Sequence, residues 1–311
     1  MPLSKSKIKG SLWYSHFSTL HTENSKEKSK NILSNPISEN YNNDINKPFT
    51  KKEFEIVIKN LKCVKAEGMD SISNEMIKNS PKEILVLLHT FLNLCLDKSL
   101  IPKSWCKDII SPIHKDGDKN DPNKYRGICI SSVLLKILCT LLNNRIQEHC
   151  LQFSVINKNQ IGFRKNHRTV DHLLTLRAVV KKYVTIGKKK LFACFVDFKK
   201  AFDSVWHDGL FYKIKKTGIG GNILELIFNI YMNTKCAVKQ NNAITDFFDY
   251  TKGVRQGCPL SPNLFNIYVN DIFNIMNENN KSDIFLDKDN KINALMYADD
   301  LILLSRATNS N

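Results

Sequence analysis

The sequence lacks several features that each mark a class of protein. Its nine cysteines include no Cys-x-x-Cys pair, so the spacing of a zinc ribbon is absent. No apolar stretch reaches about 18 residues, and no signal-peptide pattern opens the chain. These absences argue against a zinc ribbon, a membrane span and a secreted protein. We therefore expect a soluble intracellular protein, in the cytoplasm and nucleus, whose cysteines are free and buried.

Positive charge is present in excess. The 311 residues carry 46 Lys and Arg against 30 Asp and Glu, a formal net charge of +16, yet only seven of the basic residues are Arg. Such a surplus favours a nucleic-acid partner, although a lysine-rich solvated surface gives the same number. Residues 158–190 carry ten basic residues and one acid, so we expect this stretch to follow a template or primer backbone. The residues assigned to this contact are Arg164, Lys165, Arg168, Lys188, Lys189 and Lys190.

Apolar periodicity separates a polar lead from a folded region. Residues 1–50 are rich in Ser, Asn, Lys and Glu and are predicted to be disordered. Helices are predicted from the N-cap residue Thr50 to about Leu61, and over 84–96 (buried), 133–146, 203–215, 223–231 and 261–276. Residues 101–125 are predicted to be rich in loops. A strand buried on both faces is predicted over 191–196, and hairpins are predicted around residues 241–242 and 298–300.

Acidic residues occupy two strand ends. Asp197 follows the apolar run 191–196, and Asp299 and Asp300 lie between two apolar strands. Either place alone is more often a simple turn, because Asp is common in turns. Three carboxylates brought together would repel one another, and a hard divalent cation such as Mg²⁺ would relieve that repulsion.

The segments around these acids resemble the palm motifs of reverse transcriptases of the non-LTR retrotransposon lineage (LINE or jockey type). Residues 195–203 (FVDFKKAFD) resemble the first palm motif, residues 253–262 (GVRQGCPLSP) the second, and residues 297–300 (YADD) the metal-binding hairpin. Upstream, residues 65–72 (KAEGMDSI), 113–118 (IHKDGD) with 125–128 (YRGI), and 159–164 (NQIGFR) resemble the fingers motifs. Glu67 departs from the family, which more often has Pro there. Six motifs in family order cover roughly residues 50–305.

The resemblance implies an α+β fold, the right-hand polymerase arrangement of fingers and palm. It implies a polar lead over 1–50, fingers and their connection to the palm over 51–190, and a palm over 191–311. The palm would be an antiparallel sheet backed by helices. It would be truncated after the Tyr-Ala-Asp-Asp hairpin, with the thumb absent.

Site roles also follow from the resemblance. Asp197, Asp299 and Asp300 would be catalytic and would hold two Mg²⁺ ions, with Mn²⁺ as the alternative ion. Phe202 would be the steric gate that excludes a 2′-hydroxyl, although on periodicity alone a core phenylalanine is as good an interpretation. Asp203 is expected to cap the following helix rather than to bind metal. The residues expected to bind the nucleotide are Lys115, Arg126, Phe198, Phe202, Gln256 and Gly257. Lys115 and Arg126 would bind the triphosphate; the alternative interpretation of both is a solvated loop charge.

The implied function is RNA-directed DNA synthesis, with an RNA template, a DNA primer and dNTPs as partners and no membrane. Two alternatives stay open: an inactive remnant that only binds nucleic acid, and a protein similar to group II intron maturases. A viral RNA-dependent RNA polymerase is disfavoured, because such enzymes place an acid where Phe202 stands and use Gly-Asp-Asp.

Overall fold

The chain forms two compact units in a computed structural model that describes residues 8–22, 41–240, 243–279, 284–287 and 290–306. The first unit comprises Met1–His149 and Phe202–Ser261, and the second comprises Cys150–Ala201 and Pro262–Asn311. Each unit is therefore assembled from two separate stretches of sequence. Within the described ranges, no helix has both the length and the apolar character needed to cross a membrane.

Strands and helices alternate irregularly along the chain, which confirms the predicted α+β class. The strands are β1 (Lys107–His114), β2 (Tyr125–Ile130), β3 (Leu191–Asp197), β4 (Lys235–Gln240), β5 (Ala243–Ile244), β6 (Phe248–Asp249), β7 (Ala294–Tyr297) and β8 (Asp300–Arg306). The α-helices are α1 (Gly10–His21), α2 (Lys51–Lys59), α3 (Asn74–Lys78), α4 (Lys82–Lys98), α5 (Val133–Gln152), α6 (Thr169–Val180), α7 (His207–Lys216), α8 (Asn222–Asn233), α9 (Ser261–Val269) and α10 (Ile272–Asn279).

The first unit contains a five-stranded sheet in the order β2-β1-β4-β5, with β6 paired to β4. The pair β1–β4 is parallel and the other pairs are antiparallel. Strand β1 lies in the stretch that was predicted to be rich in loops. That prediction was wrong for these residues because Pro112, a residue that usually interrupts strands, lies within them. The parallel pairing of β1 ends at Ile110, so Pro112 lies where the strand has one neighbour and its missing N–H costs little. The hairpin β4–β5 confirms the prediction, and its tip at 241–242 lies outside the described residues.

Residues 1–50 were predicted to be disordered, and this prediction was wrong for residues 10–21, which form helix α1. Trp13 and Phe17 are each 1% exposed and pack into a cluster on the five-stranded sheet. The backbone carbonyl of His21 accepts hydrogen bonds from the amides of Thr251 and Lys252. Spacing of four residues puts these three α1 side chains on one face. The composition of the whole stretch is polar, so it does not indicate this short apolar face. Residues 1–7 and 23–40 lie outside the described part of the chain.

Helix α4 confirms the predicted helix over 84–96, but the prediction that this helix is buried was wrong. Leu92 and Leu96 are within 1% of complete burial, whereas Leu87 is 65% exposed and Val86 51% exposed. The helix therefore buries one face only. An apolar run records hydrophobicity on every face but does not show which face finds a partner.

The second unit contains a three-stranded antiparallel sheet in the order β3-β8-β7. Val179 of α6 and Tyr183 just after it pack with Leu295 and Leu304 of the sheet, so helices back this sheet as predicted. Strand β3 confirms the predicted strand, but its burial on both faces was predicted wrongly. Phe195 is 71% exposed and Cys194 is also exposed, and these successive residues project to opposite faces of the sheet. An apolar run does not show whether another element packs on either face, and in the described part of the chain neither face is covered at these positions.

Candidate active site

Two neighbouring strands bring the predicted acidic residues together. In the antiparallel pair β3–β8, Asp197 lies directly opposite Asp300. Tyr297 also pairs with Asp300 across β7–β8, so Ala298 and Asp299 form a two-residue turn. Directly opposed residues in an antiparallel pair project to the same face with Cβ atoms about 4.5–5.5 Å apart. The arrangement therefore presents three carboxylates at one end of the sheet.

The carboxylates at this sheet end lie in contact with solvent. Asp197 and Asp300 are exposed and Asp299 is partly exposed. Like charges placed directly opposite one another destabilise a strand pair, and a hard cation that takes oxygen ligands removes that repulsion. The donor set thus fits a divalent ion. The exposure of these side chains leaves room for a phosphate ligand beside the ion.

A tighter group of potential ligands lies in the first unit. Within the described ranges, three ligand atoms lie within 4.8 Å of one another at Asp108, Cys129 and Cys236, and the three site carboxylates do not converge to that extent. Asp108 is completely buried, but its Oδ2 lies 3.2 Å from Arg255 NH1. A buried carboxylate paired with a guanidinium already has its charge compensated. We therefore assign this group to the core of the unit rather than to a metal centre.

The end of the first palm motif and nearly all of the second palm motif lie in the first unit. Residues Phe202–Ser204 form a single 3₁₀ turn. Val254 N donates to Phe202 O at 2.8 Å, and Gly253 N donates to Val205 O at 2.8 Å. The end of the first motif is thereby joined to the start of the second by backbone hydrogen bonds. Phe202 itself is partly exposed.

Asp203 does not cap the following helix, so that expectation was wrong. Helix α7 begins at His207, and Asp203 Oδ1 accepts a hydrogen bond of 2.8 Å from Gln256 Nε2. The Gln256 carbonyl accepts from Cys129 N at 2.7 Å, which ties the loop to β2. Asp203 is a residue that sequence reasoning missed. The only signal for it was a second acid inside the first palm motif.

Gly257 needs to be glycine for two reasons. Its φ is +108°, a conformation that other residues rarely adopt, and a Cβ would lie 2.8 Å from Cys129 O. The glycine therefore lets the loop 253–258 lie directly on β2. Gly257 is exposed on the other side, where a ligand can approach its backbone.

Lys115 and Arg126 lie on the hairpin β1–β2. Lys115 N donates to Lys124 O at 2.8 Å, which extends the ladder one step beyond the pair His114–Tyr125. In this register Arg126 is two positions along from Lys124, so Lys115 and Arg126 project from the same face as diagonal neighbours. Both side chains are exposed. The hairpin can thus offer two cations to one anionic group.

The basic residues that were assigned to nucleic-acid contact differ in their exposure to solvent. Lys165, Arg168 and Lys188–Lys190 are exposed. Arg164 is partly buried, and its NH1 lies 3.3 Å from the carbonyl oxygens of both Asn157 and Gln160. Its guanidinium is therefore partly engaged in holding its own loop.

Phe198, assigned to the nucleotide, follows Asp197 directly and is partly exposed.

Known proteins provide an independent comparison. Residues 113–310 match the family described as reverse transcriptase (RNA-dependent DNA polymerase). The chain is 30% identical over 233 residues to the probable RNA-directed DNA polymerase from transposon BS of Drosophila melanogaster, covering 73% of this chain and 25% of that protein. It is 31% identical over 264 residues to the RNA-directed DNA polymerase from mobile element jockey of Drosophila funebris, covering 84% of this chain and 28% of that protein.

Among solved structures, apo telomerase from Candida tropicalis aligns with 72% of this chain and 44% of its own chain, at 15% identity and a TM-score of 0.47. The chain spans about a quarter of the length of the curated relatives named above. Because the family match covers more than half of its residues, the chain belongs to the reverse transcriptase family, in the non-LTR retrotransposon lineage.

Proposed function

We propose that this chain carries the polymerase centre of an RNA-directed DNA polymerase. One observation carries the proposal: the strand register that places Asp197 opposite Asp300, beside Asp299 in a two-residue turn. Nucleotidyl transfer needs carboxylates on neighbouring strand ends, because they bind the ions that act on both the attacking and the leaving oxygen. Six motifs that follow one another in the order of the family support the same assignment.

Enzymes of this family use divalent metal ions. We propose that Asp197, Asp299 and Asp300 hold two Mg²⁺ ions, with Mn²⁺ as a substitute. When bound, such ions supply activation of a primer 3′-hydroxyl and stabilisation of the leaving pyrophosphate. The chain's own contribution is to hold the three carboxylates in a fixed register before the substrate arrives, which reduces the entropic cost of the reaction.

The remaining roles are proposed residue by residue. Phe202 acts as the steric gate that excludes a ribonucleotide 2′-hydroxyl, and Phe198 lies against the incoming nucleotide. Gln256, held by Asp203, and Gly257, which exposes its backbone, line the nucleotide pocket. Lys115 and Arg126, exposed on one face of the β1–β2 hairpin, bind the triphosphate as charge-assisted donors.

The proposed partners are an RNA template, a DNA primer and dNTPs. The exposed lysines 188–190, with Lys165 and Arg168, would contact the phosphate backbone. The division of the chain into fingers with their connection (residues 51–190) and palm (residues 191–311) stays a prediction. Its boundaries follow the order of the motifs, whereas the two compact units interleave along the chain.

The test is dTTP incorporation on poly(rA)/oligo(dT), with Mg²⁺ and with Mn²⁺. It is run on the full 311-residue chain. Asp299→Asn removes one ligand charge at constant size and should abolish incorporation. Asp246→Asn, an exposed acid in the loop between β5 and β6, is the matched control and should retain full activity.

Three outcomes are informative. Incorporation that Asp299→Asn abolishes and Asp246→Asn spares supports the proposal. Equal activity in the wild-type chain and the Asp299→Asn variant refutes the metal assignment. If the chain incorporates no dTTP but binds the primer–template, the proposal fails and a nucleic-acid-binding remnant replaces it.

A further inference from the structure

The turn that carries Asp299 contains a strained residue. Ala298 has φ +58°, in the left-handed region that non-glycine residues rarely adopt. In that region the alanine Cβ crowds the following carbonyl oxygen, a strain that glycine would not have. Ala298 is buried, with 6% of its surface exposed. A strained turn of this kind persists where surrounding groups hold it.

Gln160 provides that hold through its side-chain amide. It is completely buried, and its Nε2 donates to Ala298 O at 3.0 Å. Its Oε1 accepts from Ala298 N at 3.1 Å and from Gly162 N at 2.9 Å. Both peptide groups of Ala298 are therefore bound by one side chain. If the Gln160 side-chain amide were rotated by 180°, its NH₂ would face the backbone N–H groups of Ala298 and Gly162. The positions of these two donors therefore fix the orientation of the amide.

The backbone around Gln160 is built to keep this contact. Ile161 N donates to Met296 O at 3.0 Å, and Met296 N donates to Asn159 O at 2.9 Å. A Cβ on Gly162 would lie 2.1 Å from Ala298 N, so only glycine permits this approach. Segment 159–162 thus lies directly against the turn on the strand β7 side.

Two further side chains support the same segment. His172 Nε2 lies 3.0 Å from Asn159 O and 3.1 Å from Met296 O, where it can donate to both carbonyls. Burial lowers the pKa of His172, so the ring stays neutral and keeps a single N–H for these acceptors. Asn266 Nδ2 donates to Gly162 O at 2.9 Å. The contact between Gln160 and Ala298 is therefore part of a connected polar network inside the second unit.

We propose that Gln160 is a positioning residue for catalysis, which sets the peptide plane between Ala298 and Asp299 and so aims the Asp299 carboxylate. This role rests on the proposed polymerase function and extends it to a residue outside the palm motifs. The Ala298 carbonyl that Gln160 holds belongs to the peptide bond that leads into Asp299. Loss of this hold frees the turn to relax, and the carboxylate moves with it.

The first test does not depend on polymerase activity. In Gln160→Leu, hydrogen exchange of backbone amides 297–300 should accelerate by at least about tenfold, because the Ala298 N–H loses its acceptor. Mn²⁺ affinity, measured by electron paramagnetic resonance, should weaken about tenfold because one ligand is misaimed. Gln152→Leu, which changes an exposed glutamine of the same unit, is the control and should change neither measurement. Unchanged exchange in Gln160→Leu overturns the proposal.

The second test uses turnover. Gln160→Leu should lower kcat by about 10²-fold with little change in KM for dTTP, since misplacement of a reacting group acts on the chemical step. Ala298→Gly should restore about tenfold of that loss in the double variant, because glycine adopts the turn conformation without strain. A purely structural role for Gln160 predicts no such rescue.

Two precautions keep the result decisive. If Gln160→Leu fails to fold, Gln160→Glu replaces it, because it keeps the acceptor for Ala298 N but turns a carboxylate oxygen toward Ala298 O. If wild type incorporates no dTTP, the proposed polymerase function fails, while hydrogen exchange and Mn²⁺ binding still decide the role of Gln160. Equal kcat in wild type and the Gln160 variants refutes the positioning role directly.

Discussion

Replacing Arg145 with Met should destabilise the first unit strongly. Arg145 lies on α5 with 9% of its side chain exposed, and its Nε and NH2 bind Glu53 Oε1 and Oε2 at 2.9 and 3.1 Å. NH1 donates to Ile45 O at 3.0 Å and also to Lys47 O, and NH2 donates to Pro48 O at 2.9 Å. One buried guanidinium therefore joins α5 to the chain that leads into α2.

The size of the effect follows from these contacts. Methionine fills similar volume but leaves the carbonyl oxygens of Ile45, Lys47 and Pro48 without the donor that Arg145 provides. Each buried polar group left unpaired costs about 1–3 kcal/mol, and breaking a buried ion pair costs about 3–5 kcal/mol. Glu53 is 32% exposed and regains some hydration, which offsets part of the loss. We expect the free energy of unfolding to fall by about 3–5 kcal/mol.

The assay is urea denaturation followed by tryptophan fluorescence. Trp13, Trp105 and Trp206 all lie in the first unit, so the signal reports on the unit that contains Arg145. Lys51→Met is the control, because Lys51 and its partner Glu55 are 66% and 62% exposed. An exposed pair contributes about 0–1 kcal/mol, so the control should unfold close to wild type. A loss below about 1 kcal/mol for Arg145→Met would refute the reasoning.

Acid provides a second measurement of the same pair. Burial raises the pKa of Glu53, but hydrogen bonds from Arg145 and Thr50 outweigh burial and lower this pKa to about 2, from an ordinary value of 4.5. A carboxyl with a lowered folded-state pKa stabilises the protein above its unfolded pKa. That stability is lost as pH falls from 4.5 toward 2. In Arg145→Met this acid-dependent loss should be smaller, and an unchanged pH profile would contradict the assignment.

Three further predictions concern the proposed function. Phe202→Val should relax discrimination against ribonucleotides by at least about tenfold in the ratio of kcat/KM for dTTP and UTP; unchanged selectivity would remove Phe202 as the gate. Replacing Lys188–Lys190 with Gln should reduce the slope of log affinity against log salt by about 2, at 0.7–0.9 per phosphate contact. The same change at three other exposed lysines, Lys51, Lys52 and Lys59, is the control, and an equal effect there would mean that only net charge matters. Asp203→Ala should raise KM for dTTP about tenfold by releasing Gln256, whereas Asp203→Asn keeps an acceptor and should stay near wild type.

The sequence determined whatever depends on residues close together along the chain. The capping box at the start of α2, with Glu53 N donating to Thr50 Oγ1 and Thr50 N donating to Glu53 Oε2, was predictable from the N-cap residue and its spacing. The hairpin around Ala298 and Asp299 was also predictable, because apolar strands on both sides bound a two-residue turn. The order of the motifs was enough to assign the family.

Only the tertiary structure decided which faces are buried and which distant residues meet. The exposure of β3 depends on which elements pack against its two faces, a fact that its own apolar residues do not contain. The pairs Arg255–Asp108 and Gln256–Asp203 join residues far apart along the chain. Gln160 reaches Ala298 across 138 positions. A buried polar group must find a partner somewhere, and sequence spacing cannot say where, because that partner is chosen by how the strands and helices pack.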